Sequence, residues 1–131
     1  MKAPLIDFDF LYNLAANDTN YVYDVIKLYL DTMPGGIEKL EQLVRTESEF
    51  EVIQKQAHFL KSSASVVKVR SMHDNLIEIE MLARQHKDMD KITAKLDHII
   101  ETFKEALPVI VAEREKCKPA KVKAVKKIKI Q

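Results

Sequence analysis

The sequence predicts an all-α fold: an antiparallel, up-down-up-down four-helix bundle with a short additional N-terminal helix. Three observations predict it. Glycine and proline number only two and four in 131 residues, while Leu, Ile, Lys, Glu and Ala are abundant. Apolar residues recur at alternating steps of three and four over four long stretches, the period of a helix with one buried face. The polar breaks between the stretches are short, which sets successive helices antiparallel. A chain of this length forms one domain with a core of its own.

Asp7 to Ala16 reads as the short first helix, with Phe8, Leu11, Tyr12 and Ala15 along one side. Asn17 to Asn20 is a polar break able to cap the next helix. That second helix carries the stripe Val22, Val25, Tyr29, Met33, Ile37, Leu40 and Val44. Pro34-Gly35-Gly36 interrupts it, and the stripe stays in phase across them, so a kink is expected rather than a break. Arg45 to Glu47 is a connector, and Ser48 with Glu51 has the spacing of a capping box. The central helix then runs to about Val67 on Phe50, Ile53, Ala57, Leu60, Ala64 and Val67. Ser71 to Asp74 is the next cap, followed by Met72, Leu76, Ile79 and Leu82 or Ala83. After the turn Gln85–Asp88, the last stripe is Ile92, Leu96, Ile99, Phe103, Leu107 and Ile110, with Pro108 expected to end or bend the helix.

Charge divides the chain in two. From Lys116 onward there are seven lysines and no acid, which leaves 14 basic and 20 acidic residues, a net of −6, in residues 1–115. The expected organisation is a helical body over 1–115 and a basic, mobile tail over 116–131. The lone Cys117 excludes an internal disulfide, and between two lysines its thiol would be reactive if exposed. No signal-peptide pattern and no membrane-length apolar run occur, so the expected location is the cytoplasm and membrane insertion is not expected. The tail admits two readings: a solvated extension, or a contact for an acidic protein, membrane surface or nucleic acid. It lacks aromatic residues, which removes base stacking, and no nucleic-acid partner is expected.

The histidines carry no metal-binding pattern. No acid stands three residues before any of the four, and there is no His-Glu-x-x-His and no cysteine pair. Nor is there a glycine-rich loop to cradle a nucleotide, so any phosphoryl group must come from another protein. His58 lies one residue off the central stripe, about 100° round the helix. Gln54, Lys61, Ser62 and Ser65 share its side. Lys61 is positioned to offset charge on a phosphoryl group at the ring, and the small serines let a partner surface approach. A histidine at a stripe's edge is often only a boundary residue; its neighbours argue for more. His73, His86 and His98 read as surface or boundary residues.

His58-Phe59-Leu60-Lys61-Ser62-Ser63-Ala64 resembles the signature of histidine-containing phosphotransfer (HPt) domains, His-x-Leu-Lys-(Gly/Ser)-(Ser/Ala)-(Ser/Ala). The resemblance spans about residues 5–107 and takes in the short opening helix, the polar break, the proline within the second helix, and Ile79-Glu80 with Ala83-Arg84. It implies that His58 accepts a phosphoryl group on Nε2 from the aspartyl phosphate of a response-regulator receiver domain and passes it on. The protein would be a carrier without turnover of its own. It would hold no cofactor, the receiver supplying Mg²⁺, and a hybrid sensor histidine kinase would stand upstream. Some members place a glutamate near Nδ1 of the histidine, and Glu80 occupies the matching position; a solvated helix glutamate is the plain alternative. Arg84, one turn on, is available for phosphate charge or simply exposed.

One position departs from the family pattern. Lys68 stands where glycine is common, at a helix end, where a left-handed lysine costs about 1 kcal/mol unless the helix ends differently. It also adds positive charge near the docking face. Phe59 with Phe8, Phe10 and Leu11 forms either an apolar patch for a receiver or a seal on the bundle's end. A monomeric phosphorelay intermediate is the expected whole. Its rivals are a bundle that docks a receiver or kinase without accepting phosphate, and a binder acting through the tail.

Overall fold

The structure, a computed structural model, describes residues 4–119. Its elements are β1 (Ile6–Asp7), α1 (Asp9–Leu14), α2 (Thr19–Arg45), α3 (Phe50–Ala64), β2 (Lys68–Val69), α4 (Met72–Arg84) and α5 (Met89–Lys116). Helices make up 77% of it against two strands of two residues each, so the class is all-α. Helix α2 packs on α3 and α5, and α4 packs on the same two, so the four long helices share one core. Leu11, Val22, Ile26, Met33, Leu40, Ile53, Leu76, Ile79, Ile92, Leu96 and Ile99 are fully buried there. Most expected stripe positions face this core, with local shifts: Ile26 is buried where Val25 is only half-buried, and Ala106 replaces Leu107.

Helix ends show where local chemistry prevailed. The Asp18 side chain accepts from Asn20 N at 2.9 Å, and the Asp88 side chain from Lys91 N at 3.1 Å, capping α2 and α5. The capping box expected at Ser48 does not form. Glu47 takes a left-handed conformation (φ 50°), Ser48 N bonds Leu43 O and Glu47 N bonds Val44 O, closing α2 in a Schellman motif. Ser48 is thereby committed to ending α2, its hydroxyl meets Thr46, and Glu49 occupies the cap of α3 without a side-chain bond. Ala16 and His86 close α1 and α4 in the same way, with no glycine at any of the three turns.

Neither proline ends a helix. α2 runs unbroken through Pro34-Gly35-Gly36, and α5 continues past Pro108 to Lys116, further than expected. α2 and α3 approach closely at Gly36: an added Cβ would collide with Leu60 Cδ2, and Gln56 Nε2 donates to Gly36 O at 3.0 Å.

α3 stops at Ala64, short of the expected Val67. The next residues pair β2 antiparallel with β1, Ile6 opposite Val69 and Asp7 opposite Lys68, and Arg70 N donates to Leu5 O at 2.8 Å. Val67 and Val69 are both buried, so the apolar signal at Val67 was real while its period had changed from helix to strand. Lys68 sits in the strand and the left-handed residue is Ser71 (φ 61°), so the helix ends differently and the lysine carries no left-handed cost. Tyr12 of α1 hydrogen-bonds Glu113 and, at 3.0 Å, Cys117 Sγ near the end of α5. Burial first, then these two partners, raises the Tyr12 phenol well above its ordinary value. Cys117 is 4% exposed, so the condition for a reactive thiol is not met. Most of the expected basic tail, residues 120–131, lies outside the described residues.

Candidate functional site

His58 stands in the middle of α3, on the side turned toward α4, because Ala57 and Leu60 beside it anchor the helix in the core. Its side chain is 67% exposed. Glu80, from α4, is an outlier in the opposite sense: a carboxylate only 5% exposed. It lies next to Ile79 on the buried stripe, which draws it under the ring. Nδ1 of His58 meets Glu80 Oε2 at 2.7 Å. Lys61 Nζ donates to Oε1 at 2.9 Å, and Arg84 Nη2 to Oε2 at 3.3 Å.

A buried carboxylate without partners would be protonated or expelled. Burial does push Glu80 upward, but the hydrogen bonds and charges of Lys61 and His58 outweigh it and hold the carboxyl below its ordinary value. An ionised Glu80 accepts only, so the proton between it and the ring belongs to Nδ1. In the neutral ring the lone pair then lies on Nε2, which has no partner among the described residues. With a neutral ring, Lys61 and Arg84 against Glu80 give the cluster one net positive charge. The arrangement offers a nucleophilic nitrogen at an exposed edge, a fixed tautomer and cations for an incoming anion.

Three of the residues read from the sequence thus converge with His58: Lys61, Glu80 and Arg84. The rest do less. Ser62 and Ser65 spend their hydroxyl protons on Phe59 O (3.2 Å) and Ser62 O (2.6 Å), tightening the end of α3. Gln54 is half-buried, while Gln56, unremarked in the sequence, makes the bond to Gly36. Phe59 is 57% exposed and borders a groove with Thr32, Gly35, Gly36, Lys39 and Gln56. The wider aromatic patch is not assembled as expected: Leu11 is fully buried, Phe8 is half-buried, and Phe10 carries the Lys68 ammonium 4.7 Å above its ring. His86 meets Glu51 at 3.0 Å and stacks beside Phe50, apart from the site.

This histidine-bearing helix lies within the match to the family model described as the Hpt domain, which spans residues 24–111. The chain belongs to the Hpt domain family. Membership implies involvement in two-component phosphorelay signalling; Hpt domains are carriers of phosphoryl groups rather than turnover enzymes, and the family interacts with receiver domains and kinases. The matched span covers α3 and α4 with the whole His58 cluster and leaves β1 and α1 outside it. No curated protein and no solved structure matches the chain. Among the described residues, no helix is long and apolar enough to cross a membrane.

Proposed function

We propose that His58 is the phosphoryl acceptor of a phosphorelay, loaded from the aspartyl phosphate of a response-regulator receiver domain and unloaded onto another. The observation that carries this reading is the 2.7 Å contact of Nδ1 with a buried, ionised Glu80 beneath a ring that is 67% exposed. In the neutral ring, the tautomer with its proton on Nδ1 presents Nε2 as the attacking atom. The new N–P bond forms as the acyl phosphate O–P bond breaks, and the aspartate leaves as a carboxylate. The ring then holds both a proton on Nδ1 and phosphorus on Nε2 and becomes positive, and Glu80 opposes that charge at contact distance. Lys61 and Arg84 balance the phosphoryl oxygens, and Phe59 with its groove gives the receiver an apolar foothold beside the histidine. The receiver brings the Mg²⁺, so this chain needs no cofactor of its own.

The same reading makes residues 1–115 an up-down-up-down bundle. His58 with Glu80 and Glu51 with His86 support opposite directions for α3 and α4. It also makes the protein a cytoplasmic monomer, served by a hybrid sensor histidine kinase, with a tail dispensable for transfer. The test is phosphotransfer from a panel of labelled, phosphorylated receivers to wild type and His58→Gln. Acid-labile, alkali-stable label in wild type alone is expected, and it should persist after deletion of residues 120–131. Absence of label from every receiver, in a folded protein, would refute the reading in favour of docking without transfer.

A further inference from the structure

A second stripe runs along α2, on the side away from the core. Tyr21, Asp24, Leu28, Asp31, Gly35 and Glu38 follow at alternating steps of three and four, and all six are exposed. Leu28, at 64%, is the most exposed large apolar side chain among the described residues, and Tyr21 is 45% exposed. Asp24, Asp31 and Glu38 make no side-chain hydrogen bond or ion pair among the described residues. The stripe shares Gly35 with the groove of about 400 Å³ that Phe59 borders beside His58. Exposed apolar side chains rimmed by charge mark an interaction surface.

Charge and connectivity indicate what covers it. Residues 4–45, which form β1, α1 and α2, hold seven acids against three bases, a net of −4, while the longer stretch 46–116 holds thirteen against eleven, a net of −2. Lys27 and Lys39 adjoin the stripe, and neither pairs with it. Acids on the other helices are already answered: Glu78 pairs with Lys95, and Glu101 and Glu105 line a recess with Arg70. Residues 120–131, outside the described residues, hold five lysines and no acid, together with Val122, Val125, Ile128 and Ile130. A segment of that chemistry complements a face that sets acids beside apolar side chains. It also starts in the right place. Tyr12 of α1 holds Glu113 and Cys117, while Arg45 at the far end of α2 reaches Asp97 early in α5. The chain therefore leaves α5 beside α1 and the start of α2. From Tyr21 to Glu38 the stripe is about 26 Å long, and the segment can extend to about 40 Å.

We propose that residues 120–131 lie along this stripe and cover the groove at Phe59, with lysines on Asp24, Asp31 and Glu38 and apolar side chains on Tyr21 and Leu28. A tethered segment is held at an effective concentration of about a millimolar, so weak contacts suffice to seat it. Its consequence for His58 rests on the phosphotransfer reading. The segment and a receiver then compete for the groove, and loading slows in proportion to the covered fraction. The tail stays dispensable for transfer and sets its rate.

The test is NMR of the full chain at low ionic strength. Nuclear Overhauser contacts are expected from the Tyr21 ring and the Leu28 methyls to the Val and Ile methyls of residues 122–130, independent of protein concentration. They should vanish in two full-length variants, one combining Asp24→Asn, Asp31→Asn and Glu38→Gln, the other with Lys121, Lys123, Lys126, Lys127 and Lys129 all changed to Gln. High salt should weaken them, since the Debye length falls to about 3 Å at 1 M. Loading from a limiting phosphorylated receiver should run about threefold to tenfold faster in the lysine variant than in wild type, as for a groove about 70–90% covered. No contacts in wild type, contacts that survive both variants, or contacts that fade on dilution, as for a second copy, would overturn the placement. Contacts as expected with an unchanged loading rate would overturn the screening of His58. Contacts as expected with no transfer from any receiver, in wild type or variant, would refute the phosphotransfer reading and leave the docked segment standing.

Discussion

Glu80→Gln removes one negative charge from the centre of three donors at 2.7, 2.9 and 3.3 Å and changes almost nothing in shape. The glutamine has a single acceptor oxygen, so either His58 or Lys61 must face its NH₂ end. A hydrogen bond to a charged group contributes about 1.5–3 kcal/mol, and the loss of one from the transition state slows transfer about tenfold to a hundredfold. The cost to folding is smaller than the lost contacts suggest. Arg84 is 59% exposed, so its pair adds at most about 1 kcal/mol. Lys61, at 30% exposure, regains part of its hydration. A net loss of about 1–3 kcal/mol leaves a folded domain. The assay is the rate of label transfer from a phosphorylated receiver at fixed concentrations, with ¹⁵N NMR of the imidazole reporting the tautomer. Wild type should hold the proton on Nδ1 and the variant should lose that preference. An unchanged rate with an unchanged tautomer would remove Glu80 from the mechanism.

Acid should unfold the protein partly through the same residue. Glu80 sits below its ordinary value of 4.5, so its contribution is complete above that pH and is lost as pH falls through the folded-state value. Urea midpoints measured from pH 6 downward should fall less steeply below 4.5 in Glu80→Gln than in wild type. The adjacent glycines of α2 should answer alanine with opposite signs. Gly35 has open space where a Cβ would go, so Gly35→Ala stabilises by about 0.5–1 kcal/mol, whereas Gly36→Ala meets buried Leu60 and destabilises by about 1–3 kcal/mol. Equal shifts in thermal unfolding would contradict the close approach at Gly36. Tyr12→Phe deletes the bonds to Glu113 and Cys117 and loosens α1 from α5, at a cost of about 1–3 kcal/mol. Cys117 should then react faster with a thiol reagent than in wild type, and an equal rate would show that Tyr12 does not guard it.

Much of the fold was legible because each long helix carries its own buried stripe, a local pattern. Leu40, Ala57, Leu76 and Leu96 fall on these stripes by spacing alone, and the core contains them. The errors fell at helix ends, where two elements compete for one residue. Ser48 had the spacing of a cap yet serves the end of α2, and Val67 had helical spacing yet belongs to the run into β2. The β1–β2 pairing joins residues more than sixty positions apart, and two residues are too short for any alternation to be visible.

The site divides along the same line. By itself, the sequence determined that His58 lies at the rim of a packed helix with Lys61 on its side, because both sit on α3 at a spacing the helix converts into proximity. It also placed Glu80 as a candidate partner through the family resemblance, with solvent as an equal alternative. Only the tertiary packing of α3 on α4 decided between them, burying the carboxylate against the imidazole with Lys61 and Arg84 around it. A helix encodes its own faces in its own residues, but the fate of a polar group on such a face depends on what the neighbouring helix brings to it.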